Sequence, residues 1–472
     1  MGSYDRLTSL DASFLHLETT ETPMHVGAVS VFEGGAFFDE RGLFRLADIR
    51  DLVESRLPLL PRFRKRLMNT PWDQGRPIWV DDDRFDISYH VRLTALPKPG
   101  SWEQLVTLAT RVQETLLDRE RPLWELWFVE GLEGGQVGLV QKTHHALVDG
   151  VSGVDVATIL LDVTPDYVPD EIAPWEPVSA PDGNTLLRDS IVERITEPAE
   201  LVRAARRVVR GPRRAVQRAG EIARSFSTMA TRDTIAPRTS LNTRPIGRHR
   251  RLGVARVPLA DVKAVRAAFA GTVNDVILAA VGAGFGRFLA ARGEEVDDVR
   301  LRVMCPVSVR ADDEQGALGN RVSAMFVSLP IGPMAPHDRL DAIRATTADL
   351  KDKQQAVAAD FLTGLTQYAA PTLMSMAARA AHRQPLFNVI CTNVPGPQFP
   401  LYLMGARMLE AFPIVPLTKN TSVVVGILSY DGILHFGLFG DRDACPDIEH
   451  LAACIDDAFA DLVKAAEGEG RP

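Results

Sequence analysis

The stretch VGLVQKTHHALVDG, Val137 to Gly150, is an apolar run ending on two adjacent histidines, with an aspartate and a glycine close behind. The chain has only 10 histidines among 472 residues, so a side-by-side pair asks for a reason. If Gln136 to His145 is extended, its side chains alternate between two faces. Val137, Leu139, Gln141, Thr143 and His145 then share one face, and Gly138, Val140, Lys142 and His144 the other. The two imidazoles therefore meet different surroundings: one works in a site, and the other packs or hydrogen-bonds behind it. Imidazole titrates near pH ~6.5, which suits a general base worth about 10²–10⁴-fold in rate. There is no G-x-S-x-G elbow for a nucleophilic serine. Neither H-E-x-x-H nor an evident third ligand accompanies the pair, so no metal is expected. What remains is a histidine acting directly on a substrate hydroxyl.

Around this stretch the chain reads as globular, with 46% hydrophobic and 24% charged residues. Its length suggests two domains of roughly 150–250 residues. No segment reaches the roughly 18 uninterrupted apolar residues of a membrane span. The opening Met1-Gly2-Ser3-Tyr4-Asp5-Arg6 has no basic region leading into an apolar one, so the expected compartment is the cytoplasm. Cys305, Cys391, Cys445 and Cys454 lie far apart without C-x-x-C spacing, the pattern of buried, reduced thiols with no catalytic part.

Three regions follow from punctuation and charge. Residues 1–180 mix helix and strand, with an amphipathic run from Trp102 to Leu117. Pro165, Pro169, Pro174, Pro177 and Pro181 mark a linker into a basic connector, 181–245. Residues 246–472 resume the mixture, with LRVMCPVSVR at 301–310 as a strand and TSVVVGILSYDGILHFGLFGD at 421–441 as a hairpin turning at Tyr430-Asp431-Gly432. Arg188 to Arg250 holds 15 arginines against 6 acidic residues, although the whole chain carries a net charge of -8. Between Leu201 and Phe226 the arginines, among them Arg203, Arg206, Arg207, Arg210, Arg213 and Arg214, fall on one helical face and Leu201, Val202, Val209, Ile222 and Phe226 on the other. Such a stripe fits either a membrane-surface helix or a packed helix with a solvated face. Nucleic acid is not expected as a partner of an acidic chain without a nucleic-acid motif.

The segment His144-His145-Ala146-Leu147-Val148-Asp149-Gly150 matches the HHxxxDG motif of the CoA-dependent acyltransferase superfamily, which includes peptide-synthetase condensation domains. With PLWE at 122–125, SLNTRPIGRHR at 240–250, NDVILAAVGAG at 274–284, PVSVR at 306–310, TNVPGP at 392–397 and the opening LTSLDASFLHLETTETPMHVGAV, the chain resembles the bacterial wax ester synthase and diacylglycerol acyltransferase family over nearly its whole length. The resemblance implies an α/β (α+β) fold of two chloramphenicol-acetyltransferase-like subdomains with the active-site channel between them. It implies transfer of a long-chain acyl group from acyl-CoA, the substrate rather than a cofactor, to diacylglycerol or a long-chain alcohol, with no cofactor and no acyl-enzyme. His145 is then the general base and His144 its support. Asp149 is expected in an ion pair with Arg310 rather than orienting the imidazole, and Gly150 permits close backbone approach. Asn274 and Asp275 either contact substrate or cap the following helix. Gly282, Gly284 and Gly286 read as small residues for helix packing. Trp124 is either core or an acyl contact, and Asn393 with Gly396 either shapes a loop between the halves or touches CoA. Two rival readings are a condensation-type catalyst using carrier-protein thioesters and a weakly catalytic lipid-droplet surface protein. Residues 201–226 would bring the protein to the inner membrane face or to lipid droplets.

Overall fold

The computed structural model describes residues 5–71, 76–148, 156, 159–169, 171–186, 236–242, 245–308, 322–361 and 386–469. Asp149, Gly150, Arg310 and the arginine-striped stretch 201–226 lie outside the described residues.

The first part of the chain runs β1 (Asp5–Arg6), α1 (Ser9–Leu17), β2 (His25–Phe32), α2 (Leu46–Arg56), β3 (Lys65–Met68), β4 (Ile78–Asp81), α3 (Ile87–His90), β5 (Val91–Ala95), α4 (Trp102–Glu114), β6 (Trp124–Glu130) and β7 (Val137–His144). The second runs β8 (Arg250–Pro258), α5 (Leu259–Phe269), α6 (Val273–Ala291), β9 (Arg300–Ser308), β10 (Val322–Pro330), α7 (Pro336–Phe361), β11 (Val389–Pro395), β12 (Tyr402–Leu403), β13 (Ala406–Ile414), β14 (Val423–Tyr430), β15 (Ile433–Asp441) and α8 (Ile448–Glu469). Two six-stranded sheets carry the architecture, ordered β12-β13-β2-β7-β6-β5 and β10-β9-β11-β14-β15-β8, beside a small sheet β1-β4-β3.

The strands alternate as their sequences require. In β14, Val423, Val425 and Ile427 face a core shared with α5, α6 and α8, whereas Val424 faces the other way. There it joins Val29, Val31, Leu105, Ala109, Val140, Leu252 and Phe439 in a core between the sheets. Phe32, Trp124, Leu126, Phe128 and Leu139 pack on the far side of the first sheet with α2. The order is thus helix, sheet, α4, sheet, helices, with every sheet face covered.

The halves are not separate in space. Strand β13, from the second half, pairs with β2 over Met408↔Phe32 to Ile414↔Gly27. A division at residue 246 therefore follows the chain and not the sheets. Arg250, 4% exposed, adds a clamp: its guanidinium donates to the Glu21 carbonyl of the first half and, at 2.7 Å, to that of Gly247.

Local chemistry explains the element ends. The β14–β15 hairpin turns through Asp431 and Gly432, both at positive φ (44° and 83°), as the Asp-Gly pair predicts. Strand β9 covers the strand expected at 301–310 as far as Ser308, and residues 309 and 310 lie outside the described residues. The amphipathic helix expected from Trp102 to Leu117 stops at Glu114, because Thr115 is extended and its carbonyl is taken by buried Lys142. Helix α6 is long and apolar enough to cross a membrane, yet it is a core helix, mostly buried between α5, α7, α8 and the sheet. Its N-cap is Thr272, not Asn274 or Asp275; Asp275 closes the capping box from the third position, its carboxylate accepting from the Thr272 amide at 2.9 Å.

Helix α6 also shows which glycines are needed. A Cβ on Gly286 would sit 1.9 Å from the Ile331 carbonyl and one on Gly284 2.5 Å from Ile455, whereas on Gly282 it would rest at 3.4 Å from Leu329. Gly286→Ala should therefore lower the melting temperature by several degrees, from about 1–3 kcal/mol of overpacking. Gly282→Ala should be neutral or stabilising by up to about 1 kcal/mol, since the helix loses a flexible residue. Thermal unfolding of the two variants checks the contrast.

Candidate active site

The extended run ends one residue earlier than its pattern suggests. Strand β7 stops at His144, and His145 opens a 3-10 turn, His145–Leu147. The His144 Nδ1 accepts from the Ala146 amide at 3.0 Å, capping that turn with its own ring. With Nδ1 accepting, Nε2 carries a proton and lies 3.4 Å from Glu18 Oε1. His144 is 1% exposed, so it is the histidine that packs behind.

No motif or spacing singles out Glu18, which the fold brings to this site. It follows the last turn of α1, its side chain only 3% exposed, and meets His144 and His25, each at 3.4 Å from Oε1. Arg119 reaches Oε2 at 2.8 Å, and the Met24 amide donates to Oε1 at 3.2 Å. Burial alone would raise its pKa, but the His144 hydrogen bond and charge, then Arg119 and His25, outweigh it and hold the carboxyl down at about 2. Behind this cluster lies the C-terminus of α4. His25 Nδ1 donates to the Gln113 carbonyl at 3.3 Å, and Lys142 donates to Val112 at 2.9 Å and to Thr115. A cation at the negative end of a helix dipole is favourable, which makes a 1% exposed lysine tolerable. Burial still pushes Lys142 down to about 8 and, with the Lys142 charge, His25 well below the usual range. Gly27 belongs to the same packing: a Cβ there would lie 1.9 Å from the Gln141 carbonyl.

His145 itself stacks on Phe14 of α1, ring centroids 3.9 Å apart and planes inclined by 19°. Its backbone amide donates to the Met24 carbonyl at 2.8 Å, fixing the turn against the start of β2. Its Nδ1 is buried and has no hydrogen-bond partner among the described residues. The residue keeps some exposed surface, but burial of the ring pushes its pKa down to about 4, which the ring's contact with its own backbone only partly offsets.

The remaining candidates lie elsewhere. Trp124 is core: 1% exposed, its Nε1 donating to the Phe63 carbonyl at 2.8 Å and its ring stacked on His90 at 4.5 Å. Its strand matters more than its side chain, because β6 is the neighbour of β7 and the Leu123 carbonyl accepts from the His144 amide at 2.9 Å. Asp275 is buried at the start of α6 and accepts from Thr347 Oγ1 at 2.7 Å, a structural role; Asn274 is half-buried beside it. Asn393 is exposed within strand β11 and not in a loop. Gly396 does shape a tight passage, since a Cβ there would be 2.4 Å from the Ser429 carbonyl. The four cysteines are buried free thiols, Cys305 and Cys445 pushed up to about 12 by burial, and make poor nucleophiles.

Two packed six-stranded sheets, with a histidine pair where a central strand of one of them breaks into a turn, define the two-subdomain fold of the chloramphenicol-acetyltransferase type. Residues 7–277 match the wax ester synthase/diacylglycerol acyltransferase catalytic domain, and residues 318–463 match the C-terminal domain of the same family. The chain is 34% identical to a probable diacylglycerol O-acyltransferase of Mycobacterium tuberculosis, covering 97% of this chain and 96% of that one. The solved structure of a wax ester synthase/diacylglycerol acyltransferase from Marinobacter aquaeolei superposes with a TM-score of 0.71 at 26% identity, covering 98% and 100% of the two chains. The starter condensation domain of rhizomide synthetase shares the fold, with a TM-score of 0.57 at 15% identity over 100% of this chain and 96% of that one. The chain belongs to the wax ester synthase/diacylglycerol acyltransferase family.

Two outcomes follow from the site's charges. Glu18→Gln removes the one carboxylate facing His144, His25 and Arg119. Breaking such a buried cluster from one side costs about 3–5 kcal/mol, so a lowered melting temperature and reduced acyl transfer are expected together. The second concerns acid. His90, His145 and His435 sit near 4 in the fold, and His25 is held well below its ordinary value, all chiefly through burial. Their unfolded values are near 6.5, so the unfolded chain binds more protons as pH falls. Stability should thus be full above pH ~6.5 and decline steadily toward pH ~4. Urea midpoints measured across that window would contradict this if they stayed level.

Proposed function

We propose that the protein transfers a long-chain acyl group from acyl-CoA to the hydroxyl of diacylglycerol or of a long-chain alcohol, giving a triacylglycerol or a wax ester and free CoA. The observation that carries this is His145: a neutral imidazole held by the Phe14 stack at the strand-to-turn junction of the HHxxxDG segment. In this reading the neutral ring carries its proton on Nδ1, and Nε2 offers its lone pair. The acceptor hydroxyl gives its proton to Nε2 as its oxygen attacks the thioester carbonyl. The tetrahedral oxyanion then collapses, the C–S bond breaks, and the departing sulfur takes the proton from the imidazolium. No acyl-enzyme is needed, because the thioester is already activated, and the reading calls for no cofactor. Positioning of the two substrates supplies the rest of the rate. A condensation-type use of carrier-protein thioesters is less well supported, since the relatives named for acyl transfer to diacylglycerol match the chain along its whole length.

Asp149 with Arg310 is proposed as a structural ion pair and Gly150 as the point of close backbone approach, on the motif alone. The basic stretch 201–226 is proposed to bring the enzyme to an anionic lipid surface, the cytoplasmic membrane face or a lipid droplet, where its acceptor resides.

His145→Ala should fold normally and lose about 10²-fold or more in turnover with palmitoyl-CoA and diacylglycerol. His144→Ala should lose less turnover but more stability, because it strands the Glu18 carboxylate. Thiol release and melting curves on both variants separate the two roles; a larger rate loss in folded His144→Ala would reverse them. For the connector, replacing Arg206, Arg207, Arg210, Arg213 and Arg214 with Gln should weaken sedimentation with anionic vesicles, since each basic residue near such a surface contributes about 1 kcal/mol. Activity on a soluble short-chain alcohol should persist. Unchanged vesicle binding would mean that the arginines only solvate a helix face.

A further inference from the structure

The second half of the molecule contains a cavity of about 360 Å³, walled by α6, α8, the segment after β10 and the start of α7. That size falls within the roughly 300–1,000 Å³ of ligand sites. Ala279, Ala283, Ala290, Val296, Ile331 and Leu462 give it an apolar lining. The cavity lies on the helix-covered face of the second sheet, and the opposite face packs against α4 and the first sheet. Sheet and core thus separate it from His145.

Three charged residues also line it: Arg339, Arg287 and Asp461. Arg287 and Asp461 pair with each other, each side chain 41% exposed. Arg339 is different. It is 5% exposed, and its guanidinium donates to the carbonyls of Pro330 and, at 2.7 Å, Gly332. No carboxylate among the described residues pairs with it. Carbonyls satisfy two of its five N–H donors but cancel none of its charge, and a buried charge left uncompensated is unfavourable. The neighbouring Arg287 adds to the problem: burial first, then the Arg287 charge, lowers the Arg339 pKa. Pro336, the first residue of α7, is in the wall as well, so the positive end of a long helix adds to the same potential.

We propose that this cavity is a second ligand site, which binds a single-chain fatty acid with its carboxylate on Arg339 and its chain along the alanine, valine, isoleucine and leucine wall. An anionic head supplies the counter-charge that the protein withholds, and a guanidinium recognises a planar carboxylate well. The apolar wall accepts a chain, and Arg287 and Asp461 are already paired with each other. Such a site lets the enzyme respond to free acid without occupying the channel proposed for acyl transfer.

Decanoate and the full-length protein test this, by hydrogen-exchange mass spectrometry beside equilibrium dialysis. Decanoate should slow exchange over residues 331–340 and 455–463, and decanol and acetate at equal concentration should not. Arg339→Gln should weaken decanoate binding about tenfold or more, the size of one lost charge-assisted interaction. That variant also releases two carbonyls and can loosen the segment after β10, so Ala283→Leu is the deciding one. It fills the cavity while keeping every charge, and should abolish the protection with acyl transfer unchanged. Protection confined to residues around α1 and β7, equal protection by decanol, or decanoate binding unaltered in folded Arg339→Gln or Ala283→Leu would each overturn the proposal.

Discussion

A single buried carboxylate holds the region around the histidine pair together. Glu18 ends α1, accepts from the backbone just before β2, and faces the ring that ends β7, so one side chain fixes where three elements stop or start. An ionised carboxylate in such surroundings is stable only if its oxygens are met by donors and balancing charge. Arg119 supplies the charge, and the Met24 amide with the His144 and His25 rings supplies the polar neighbours. This explains why α1 is long enough to lay Phe14 on His145: the helix is anchored at its C-terminal end by the group that anchors His144. Among the described residues, the position of the His145 ring is therefore set by its neighbour's partner and by the Phe14 stack.

The same region depends on the other half of the chain through β2. Gly27 and His25 lie at the start of a strand whose other edge is β13, contributed some 380 residues later. Without β13, β2 would be an edge strand with a free row of backbone groups. The aromatic pair Trp102 and Phe412, at 5.3 Å with the Arg256 guanidinium over both rings, closes the interface beside it. The fold thus makes the histidine site a joint product of both halves, although Glu18, His25, His144 and His145 all come from the first.

Much of this was legible in the sequence, for definable reasons. Local chemistry was readable: Asp431-Gly432 demanded a hairpin turn, and the small residues of α6 implied close packing, which Gly284 and Gly286 show. Alternation placed His144 with Lys142 and Val140, and all three do face the α4 side. It failed at His145, because alternation has no meaning once the chain enters a turn. Asn274 and Asp275 fit either a substrate contact or a cap, yet Thr272 holds the cap; three polar residues within four positions, Thr272, Asn274 and Asp275, leave the cap ambiguous. Glu18 was missed for a stronger reason. Its partner Arg119 is 101 positions away, and a lone glutamate after an amphipathic helix looks solvated. The β13–β2 pairing was invisible for the same cause, since local sequence reports a strand and not its neighbour.

Among the described residues no carboxylate meets the His145 ring, and the proposed chemistry runs without one. A standing anion beside His145 would raise its pKa and leave part of the population protonated near neutral pH. Burial does the opposite: at about 4 the ring is neutral throughout the working range. The cost appears when the imidazolium forms, because that charge is then buried. In attack on a thioester, however, the proton reaches the ring as negative charge reaches the carbonyl oxygen beside it. The two charges arise together and attract each other most strongly where water is absent. The counter-ion is made by the reaction itself, so a low-pKa imidazole without a carboxylate partner suits a substrate that carries its own leaving group.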